Sequence, residues 1–327
     1  MAKKRLVSGM RTTGSLHLGH LEGTLKNWVS LQDTYDCFFF AAVWHAFTDR
    51  LKIDNLPAII DEMVIDWLSV GIDPEKSVIF RQSSMHEHAE LCTILSNCTP
   101  LGWLERCPSF KDDVRDEDAK SRVSLGKLMY PVLMTSDIAA YDGEFVPVGK
   151  DQLPHLELSR EIVRRFNGSY GDVLKEPDAV LSQVPLLLGI DKRKMSKSYN
   201  NGIELRETPD GLKAKVQQMI TDPQRVRRND PGDPEVCCVY AYHKIYTPDR
   251  LEEIAQGCRT AGIGCRDCKL ILYERLNNML EPYRCRRAEI ESRKGYVKEV
   301  LDAGEKRAHA IASEVLQRVR QVMGFSS

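Results

Sequence analysis

Apolar positions in the first half of the chain follow two rhythms. Arg5-Leu6-Val7, Cys37 through Val43 and Ser77 to Phe80 are short, nearly unbroken apolar runs and read as buried strands. Between them apolar residues recur at helical spacing. Ile59, Ile60, Met63, Val64 and Trp67 share one face, Pro57 opens that helix and Gly71-Ile72-Asp73-Pro74 stops it. Further helices are expected over Leu18 to Leu31 and from about Met85 to Ser96. Strand and helix in alternation predict a parallel sheet with helices on both faces. In such sheets ligands collect at the carboxyl ends of the strands, where the turn before Leu18 and His45 both fall.

Gly126 to Tyr141 predicts an apolar helix that nevertheless carries Tyr130, Ser136 and Asp137. Phe145-Val146-Pro147-Val148 predicts a strand, Gly149-Lys150-Asp151-Gln152 a polar turn and Leu153 to Phe166 a helix, a second wall for the same pocket. From Glu207 onward strand signals stop. Thr208-Pro209-Asp210 caps a helix to Ile220. Val297, Val300, Leu301, Ala308, Ile311, Val315, Leu316, Val319 and Met323 form the core-facing stripe of a last helix, Tyr296 to Met323. The expected fold class is α/β: a Rossmann-type parallel-sheet catalytic unit over residues 1–205, then an α-helical C-terminal unit over 206–327.

Composition narrows the class. The 327 residues are enough for about two domains. A net charge of -1 excludes a generally basic polyanion binder, so contacts with nucleic acid must use local patches. The basic start, Met1-Ala2-Lys3-Lys4-Arg5, leads into no apolar h-region, and no run reaches membrane-spanning length. A soluble, cytoplasmic protein with no membrane or DNA partner is expected.

Two stretches carry chemistry. Gly14-Ser15-Leu16-His17-Leu18-Gly19-His20 joins a strand to a helix start, where free backbone N–H groups and the positive helix end favour an anion. Alone it reads equally as a helix cap with two surface histidines. Asp191-Lys192-Arg193-Lys194-Met195-Ser196-Lys197-Ser198 is dense in cations and hydroxyls, suited to a polyphosphate or to a solvated loop. Lys111 to Arg122 is charge-rich with little apolar content, and reads as a solvated loop or helix face or as a mobile segment near a site.

In this order, on an α/β first half, the two stretches resemble the paired ATP motifs of class I aminoacyl-tRNA synthetases. Asp66 through Pro74, Tyr130-Pro131-Val132-Leu133-Met134, Val146 through Gly149, Asp151-Gln152, His155 and Leu156-Glu157-Leu158 extend the match to the bacterial tryptophanyl-tRNA synthetase family, from Val7 to about His243. That resemblance implies activation of L-tryptophan by ATP, with Mg²⁺, and transfer of the aminoacyl group to tryptophan tRNA by a homodimer. It implies His17, His20, Lys194 and Lys197 as catalytic. The implied ATP-binding set comprises Arg11, Thr12, Thr13, Gly19, His20, Lys111, Gly149, Lys150, Asp151, Ile190, Lys194, Met195, Ser196, Lys197 and Ser198. For tryptophan it implies Asp137 as acceptor of the indole N–H, Tyr130 and Gln152 at the α-amino group, and Met134, Val146, Val148 and His45 as lining. His20 stands where many bacterial members carry Asn, Thr12 where they often carry Pro, and Lys150 where they usually carry Glu. The alternatives are a tyrosyl-tRNA synthetase, a nucleotidyltransferase that does not use tRNA, and a non-catalytic tRNA-binding regulator.

Ten cysteines without an export signal point away from disulfides. Cys258, Cys265 and Cys268 have ligand-like spacing, and Cys237 or Cys238 offers a fourth thiolate. The pattern resembles the subset of the family with a C-terminal [4Fe–4S] cluster; Zn²⁺ and metal-free thiols are the other readings. Nearby Arg284, Arg286, Arg287, Arg293 and Lys294 are expected to face tRNA phosphates. Arg225, Arg227 and Arg228 read as a phosphate contact or a solvated turn.

Overall fold

The structure, a computed structural model, describes residues 3–12, 14–114, 123–181, 187–193, 195 and 199–325. Five parallel strands, β1 (Arg5–Arg11), β2 (Asp36–Ala42), β3 (Ser77–Arg81), β4 (Phe145–Val148) and β5 (Asp178–Leu181), form one sheet in the order β3-β2-β1-β4-β5. The register runs Leu6↔Cys37 and Phe39↔Ile79, and Leu6 also meets Phe145. Successive residues point to opposite faces, and both faces are buried. Leu6, Cys37 and Phe39 join one core with Trp28 and Trp67, while Val7, Phe38 and Phe40 join a second on the other side. That double burial explains why these strands read as continuous apolar runs.

The chain winds outward from β1 first toward β3 and then, after a crossover, toward β5. The gap between β1 and β4 is therefore the topological switch point, where an open parallel sheet leaves a crevice. β5 escaped the sequence reading because it is a short, half-exposed edge strand with only three apolar residues.

The first helical stretch is continuous but not uniform. It consists of α1 (Leu18–His20), a π-helical turn over Leu21–Leu25 and α2 (Lys26–Leu31). After β2 comes α3 (Val43–Phe47), then α4 (Leu56–Val70), capped by Gly71 at φ +110°, a conformation other residues adopt only with strain. β3 leads to α5 (His86–Asn97), followed by α6 (Leu101–Glu105) and α7 (Pro108–Asp113). The single helix expected over Gly126 to Tyr141 is two, α8 (Leu125–Leu128) and α9 (Tyr130–Ala139), broken at Met129. Pro131 has no N–H to continue the ladder and sits in the first turn of the new helix, where none is needed. α10 (Leu153–Tyr170) follows β4.

The remainder is helical: α11 (Pro209–Gln218), α12 (Cys238–Tyr246), α13 (Leu251–Arg259), α14 (Cys265–Ser292) and α15 (Tyr296–Val322). Thr208 caps α11 by accepting from Gly211 N–H, as expected. α15 does not stay with its sequence neighbours. It returns to the sheet, and Ala308, Ala312, Val315, Leu316 and Val319 share the second core with Phe38, Phe40 and Phe80.

Arg287 on α14 is not a surface cation for phosphate. It is buried, and its guanidinium binds Asp66 Oδ1 at 2.6 Å, Glu62 Oε2 at 2.5 Å and Glu291 Oε1 at 2.9 Å, tying α14 to α4. Arg225 is buried as well and donates to the carbonyls of Arg228 and Ile263.

Candidate active site

A cavity of about 240 Å³ opens at the switch point between β1 and β4. Val7, Ser8 and Gly9 of β1 form one wall, and Val146, Pro147 and Val148 of β4 with Gly149 form the other. Gly23, Thr24, Asn27 and Trp28 enter from the π-helical turn and α2, an irregular turn typical of functional sites. His45, Tyr130, Met134, Asp137 and Gln152 complete the lining with Arg11 and Phe40. All seven residues named for the amino acid thus meet in one place, although they come from four separate segments.

Asp137 is the centre of that pocket's electrostatics. It is 2% exposed. Gln82 Nε2 donates to Oδ1 at 2.7 Å, His88 Nδ1 to Oδ1 at 2.6 Å and His45 Nε2 to Oδ2 at 2.7 Å. Burial raises the carboxyl pKa, but the electrostatic attraction of His45 and the hydrogen bonds from His45 and His88 more than offset it and hold Asp137 below the usual range. A carboxylate accepts only, so both imidazoles donate to it. His88 Nε2 in turn faces the Tyr141 hydroxyl at 2.5 Å, and burial keeps that phenol protonated as a donor. Oδ1 is filled by two donors and Oδ2 by one, which leaves one acceptor position on Oδ2. His45 Nδ1 is buried and has no hydrogen-bond partner among the described residues. A cavity with apolar walls at Met134, Val146 and Val148, one unfilled carboxylate position and one unfilled imidazole nitrogen suits an apolar ring with a single N–H and an ammonium group.

Tyr130 stands edge-on to His45 and His155, at ring distances of 4.6 and 5.7 Å, and burial raises its phenol pKa so that it remains an O–H donor. His155 is fixed in turn by Cys107, Sγ to Nδ1 3.2 Å. Sequence reasoning missed Gln82 and His88. Gln82 follows β3 at its carboxyl end, a signal that was available; His88 sits on the buried face of α5, where a histidine looks like any other core position.

Beside the cavity, the Gly14–His20 turn is closed by reciprocal caps. His17 Nδ1 accepts from Gly19 N–H, and His20 Nδ1 accepts from His17 N–H, each at 3.2 Å. With Nδ1 accepting, each neutral ring carries its proton on Nε2. A side chain at Gly19 would stand 3.0 Å from the His17 ring and 3.3 Å from Met195 Sδ. The cation-rich stretch therefore returns to this turn. Beyond it, Leu18 N–H donates to Ile203 O at 2.9 Å, Leu205 N–H to Leu16 O at 3.0 Å, and His17 bridges Glu204.

The remaining nucleotide positions are spread more widely. Arg11 pairs with Asp49, which also holds Lys127. Thr12 is buried with Oγ1 unpartnered among the described residues. Ile190 is buried, and its N–H donates to Asn201 O. Lys150 and Asp151 are exposed on the turn after β4, where Gln152 Nε2 donates to Asp151 at 2.6 Å. Lys111 is exposed on α7. Thr13, Lys194, Ser196, Lys197 and Ser198 lie outside the described residues.

The four cysteines converge from separate elements: Cys237 before α12, Cys258 in the last turn of α13, and Cys265 and Cys268 in the first turn of α14. Burial pushes the Cys268 thiol up to about 12, with the negative charges of Cys237, Cys258 and Cys265 adding to it. Cys258 is also raised by burial, opposed by Arg225, whose Nη1 lies 3.8 Å from its sulfur. Cys238 turns away and donates to Gly189 O at 3.4 Å. No three of the four sulfurs lie within 4.8 Å of one another, whereas a tetrahedral zinc site needs them roughly 3.8 Å apart.

The family described as tRNA synthetases class I (W and Y) matches residues 2–281. The tryptophan–tRNA ligase of Thermotoga maritima is 45% identical over 325 residues, covering 98% of this chain and 99% of that one. That of Aquifex aeolicus is 40% identical, with 98% and 100% covered. The crystal structure of the tryptophanyl-tRNA synthetase of Campylobacter jejuni, in complex with ADP and tryptophan, is similar at a TM-score of 0.85 and 34% identity, covering 98% of this chain and 99% of that one.

Proposed function

The chain belongs to the class I tRNA synthetases of the tryptophan and tyrosine group, and from that premise we propose which of its residues carry the reaction. The reaction is the ATP-dependent joining of tryptophan to tRNA. The tryptophan carboxylate attacks the α-phosphorus of ATP, an acyl–O–P bond forms and pyrophosphate leaves. A ribose hydroxyl of the tRNA 3′ end then attacks the carbonyl and AMP leaves. No bond to the enzyme is needed, so catalysis is positioning and charge stabilisation.

Asp137 Oδ2 accepts the indole N–H at its unfilled position, and Met134, Val146 and Val148 surround the ring. The α-ammonium group is held by Tyr130 and Gln152, with His45 Nδ1 as a further acceptor. His17 and His20 present Nε2–H donors to ATP as negative charge grows at the α-phosphate. Gly19 admits the nucleotide against the backbone, and Lys194 and Lys197 with Ser196 and Ser198 stabilise the leaving pyrophosphate. Arg11, Thr12, Thr13, Lys111, Gly149, Lys150, Asp151, Ile190 and Met195 complete the ATP site. Mg²⁺ accompanies ATP, held mainly by phosphate oxygens.

The observation that carries this reading is the meeting of Met195 with Gly19 beside a cavity whose single carboxylate is Asp137. Amino-acid-dependent pyrophosphate exchange tests it. Exchange with tryptophan, charging of tryptophan tRNA and loss of both in Lys197→Ala are expected. Exchange with tyrosine but not tryptophan would overturn the assignment of the pocket.

Cys237, Cys258, Cys265 and Cys268 fit a thiolate-preferring group, because they approach one another from three elements, where burial and, after it, neighbouring thiolate charge raise the Cys258 and Cys268 thiols. A [4Fe–4S] cluster held there, with zinc as the alternative, would brace α12, α13 and α14; it is given no part in either chemical step. Anaerobic purification should yield a broad absorbance near ~400 nm, and colourless protein with one bound zinc would decide for the alternative. The enzyme works as a cytoplasmic homodimer, and no helix among the described residues is long and apolar enough to cross a membrane.

A further inference from the structure

α5 holds His88 against Asp137, and the two residues before it, His86 and Glu87, meet His309 of α15 on the other side of that helix end. One ligand-type atom from each of His86, Glu87 and His309 lies within 4.8 Å of the other two. Glu87 is 1% exposed, and its only ion-pair partners among the described residues are those two histidines. Its Oε1 is occupied: Ser313 Oγ donates at 2.7 Å and His309 Nδ1 stands at 2.5 Å. Its Oε2 is also buried but has no hydrogen-bond partner, and it faces His86 Nδ1 at 3.6 Å. The two imidazoles are exposed, with ring centroids 5.5 Å apart, so the cluster is open to solvent on one side and closed on the other.

We infer that His86, Glu87 and His309 form a binding site for a first-row divalent transition metal of the Zn²⁺ or Ni²⁺ type. Two imidazoles and one carboxylate select such ions over Mg²⁺ or Ca²⁺, which take oxygen ligands. A buried carboxylate oxygen without a partner is costly to leave unsatisfied, and a cation in front of Oε2 satisfies it. Water fills the coordination positions that face solvent. Binding requires both imidazoles neutral, so any proton shared between His309 and Glu87 leaves to solvent. The ion would join α15 to the end of α5, two residues from the histidine that orients Asp137.

Titration of the full-length protein with Ni²⁺ tests the site, comparing wild type with His86→Asn and His309→Asn. Both histidines are exposed, so both variants should keep the wild-type circular dichroism, and each variant's response to Ni²⁺ is read against its own metal-free thermal midpoint. Because free thiols also take up Ni²⁺, the readout is the difference between proteins. One equivalent of Ni²⁺ should be lost in each variant, and the rise in thermal midpoint on adding Ni²⁺ should shrink with it. The lost equivalent should lack sulfur charge-transfer absorbance. Superimposable titrations of all three proteins would overturn the proposal and leave His309 and Glu87 as an ion pair that docks α15. The readout is independent of tryptophan activation, so it stands or falls separately from the assignment of the pocket.

Discussion

At the scale of single residues, the selectivity proposed for the pocket rests on counting acceptor positions around Asp137. Three are taken by Gln82, His88 and His45, so a ligand with one N–H completes the set. Asp137→Asn replaces one oxygen by a donor that must oppose a donor already in place. Losing a charge-assisted hydrogen bond costs about 1.5–3 kcal/mol, which is roughly a 10- to 100-fold fall in kcat/KM for tryptophan. Pyrophosphate exchange should show that fall with KM for ATP nearly unchanged; an equal loss for both substrates would mean that the cavity has collapsed. The second residue-scale test concerns His20. Its Nδ1 closes the cap on His17 N–H, and an Asn oxygen can accept the same bond. His20→Asn should therefore leave the thermal midpoint in place while slowing adenylate formation about tenfold through the lost Nε2–H donor. Single-turnover kinetics would show it, and an unchanged rate would remove His20 from the chemistry. That Asp137, Tyr130 and His45 share one cavity was foreseeable because recognisable stretches of sequence carry them. Gln82 and His88 were not, since the need for them arises only when Asp137 is seen buried and short of donors.

At the scale of elements, the Gly14–His20 turn is held from below by α4 and α14. Asp66 accepts Leu16 N–H at 3.4 Å and Arg287 Nη1 at 2.6 Å, while Arg206 links Glu62 to Ser15 Oγ. Burial lifts the Asp66 carboxyl to about 6, with Arg287 opposing it only in part. The unfolded chain loses that proton near 3.8 and the folded protein near 6, so stability falls as pH rises through this window. The change is about 3 kcal/mol, complete above the higher value and absent below the lower. Asp66→Asn should lack this fall, and the stability difference between it and wild type should change by that amount between pH 4 and 7. Parallel pH profiles for the two proteins would show that Asp66 does not titrate there. The network costs stability at neutral pH and keeps the turn in one place, the usual trade for a buried ion pair. Helices α4 and α5 and the central strands were readable from period alone. The π-helical turn and the α8–α9 break were not, because both depend on local backbone geometry that apolar spacing does not record.

At the scale of the whole molecule, the last helix decides how separable the two halves are. The sequence divides near residue 205, where strand signals end, but the face that covers β3 and α5 is supplied by α15. The fit is close. A Cβ on Gly304 would stand 1.8 Å from Ile79 O and 2.6 Å from Ile79 C, backbone atoms that cannot turn aside. Gly304→Ala should therefore cost about 3 kcal/mol, the upper end of overpacking, and lower the thermal midpoint by several degrees. The ion pair between Arg320 and Glu90, in the same interface but half exposed, is worth ~1 kcal/mol or less. Arg320→Ala should change the midpoint little. Packing against the sheet, not surface charge, is then what binds the end of the chain to its beginning. A chain ended at residue 205 would leave Phe80 and its neighbours without that cover and should aggregate or expose apolar surface to a hydrophobic dye. If it instead stays soluble and binds tryptophan with the affinity of the full protein, the sheet needs no help from α15 and the division at 205 marks a self-sufficient domain.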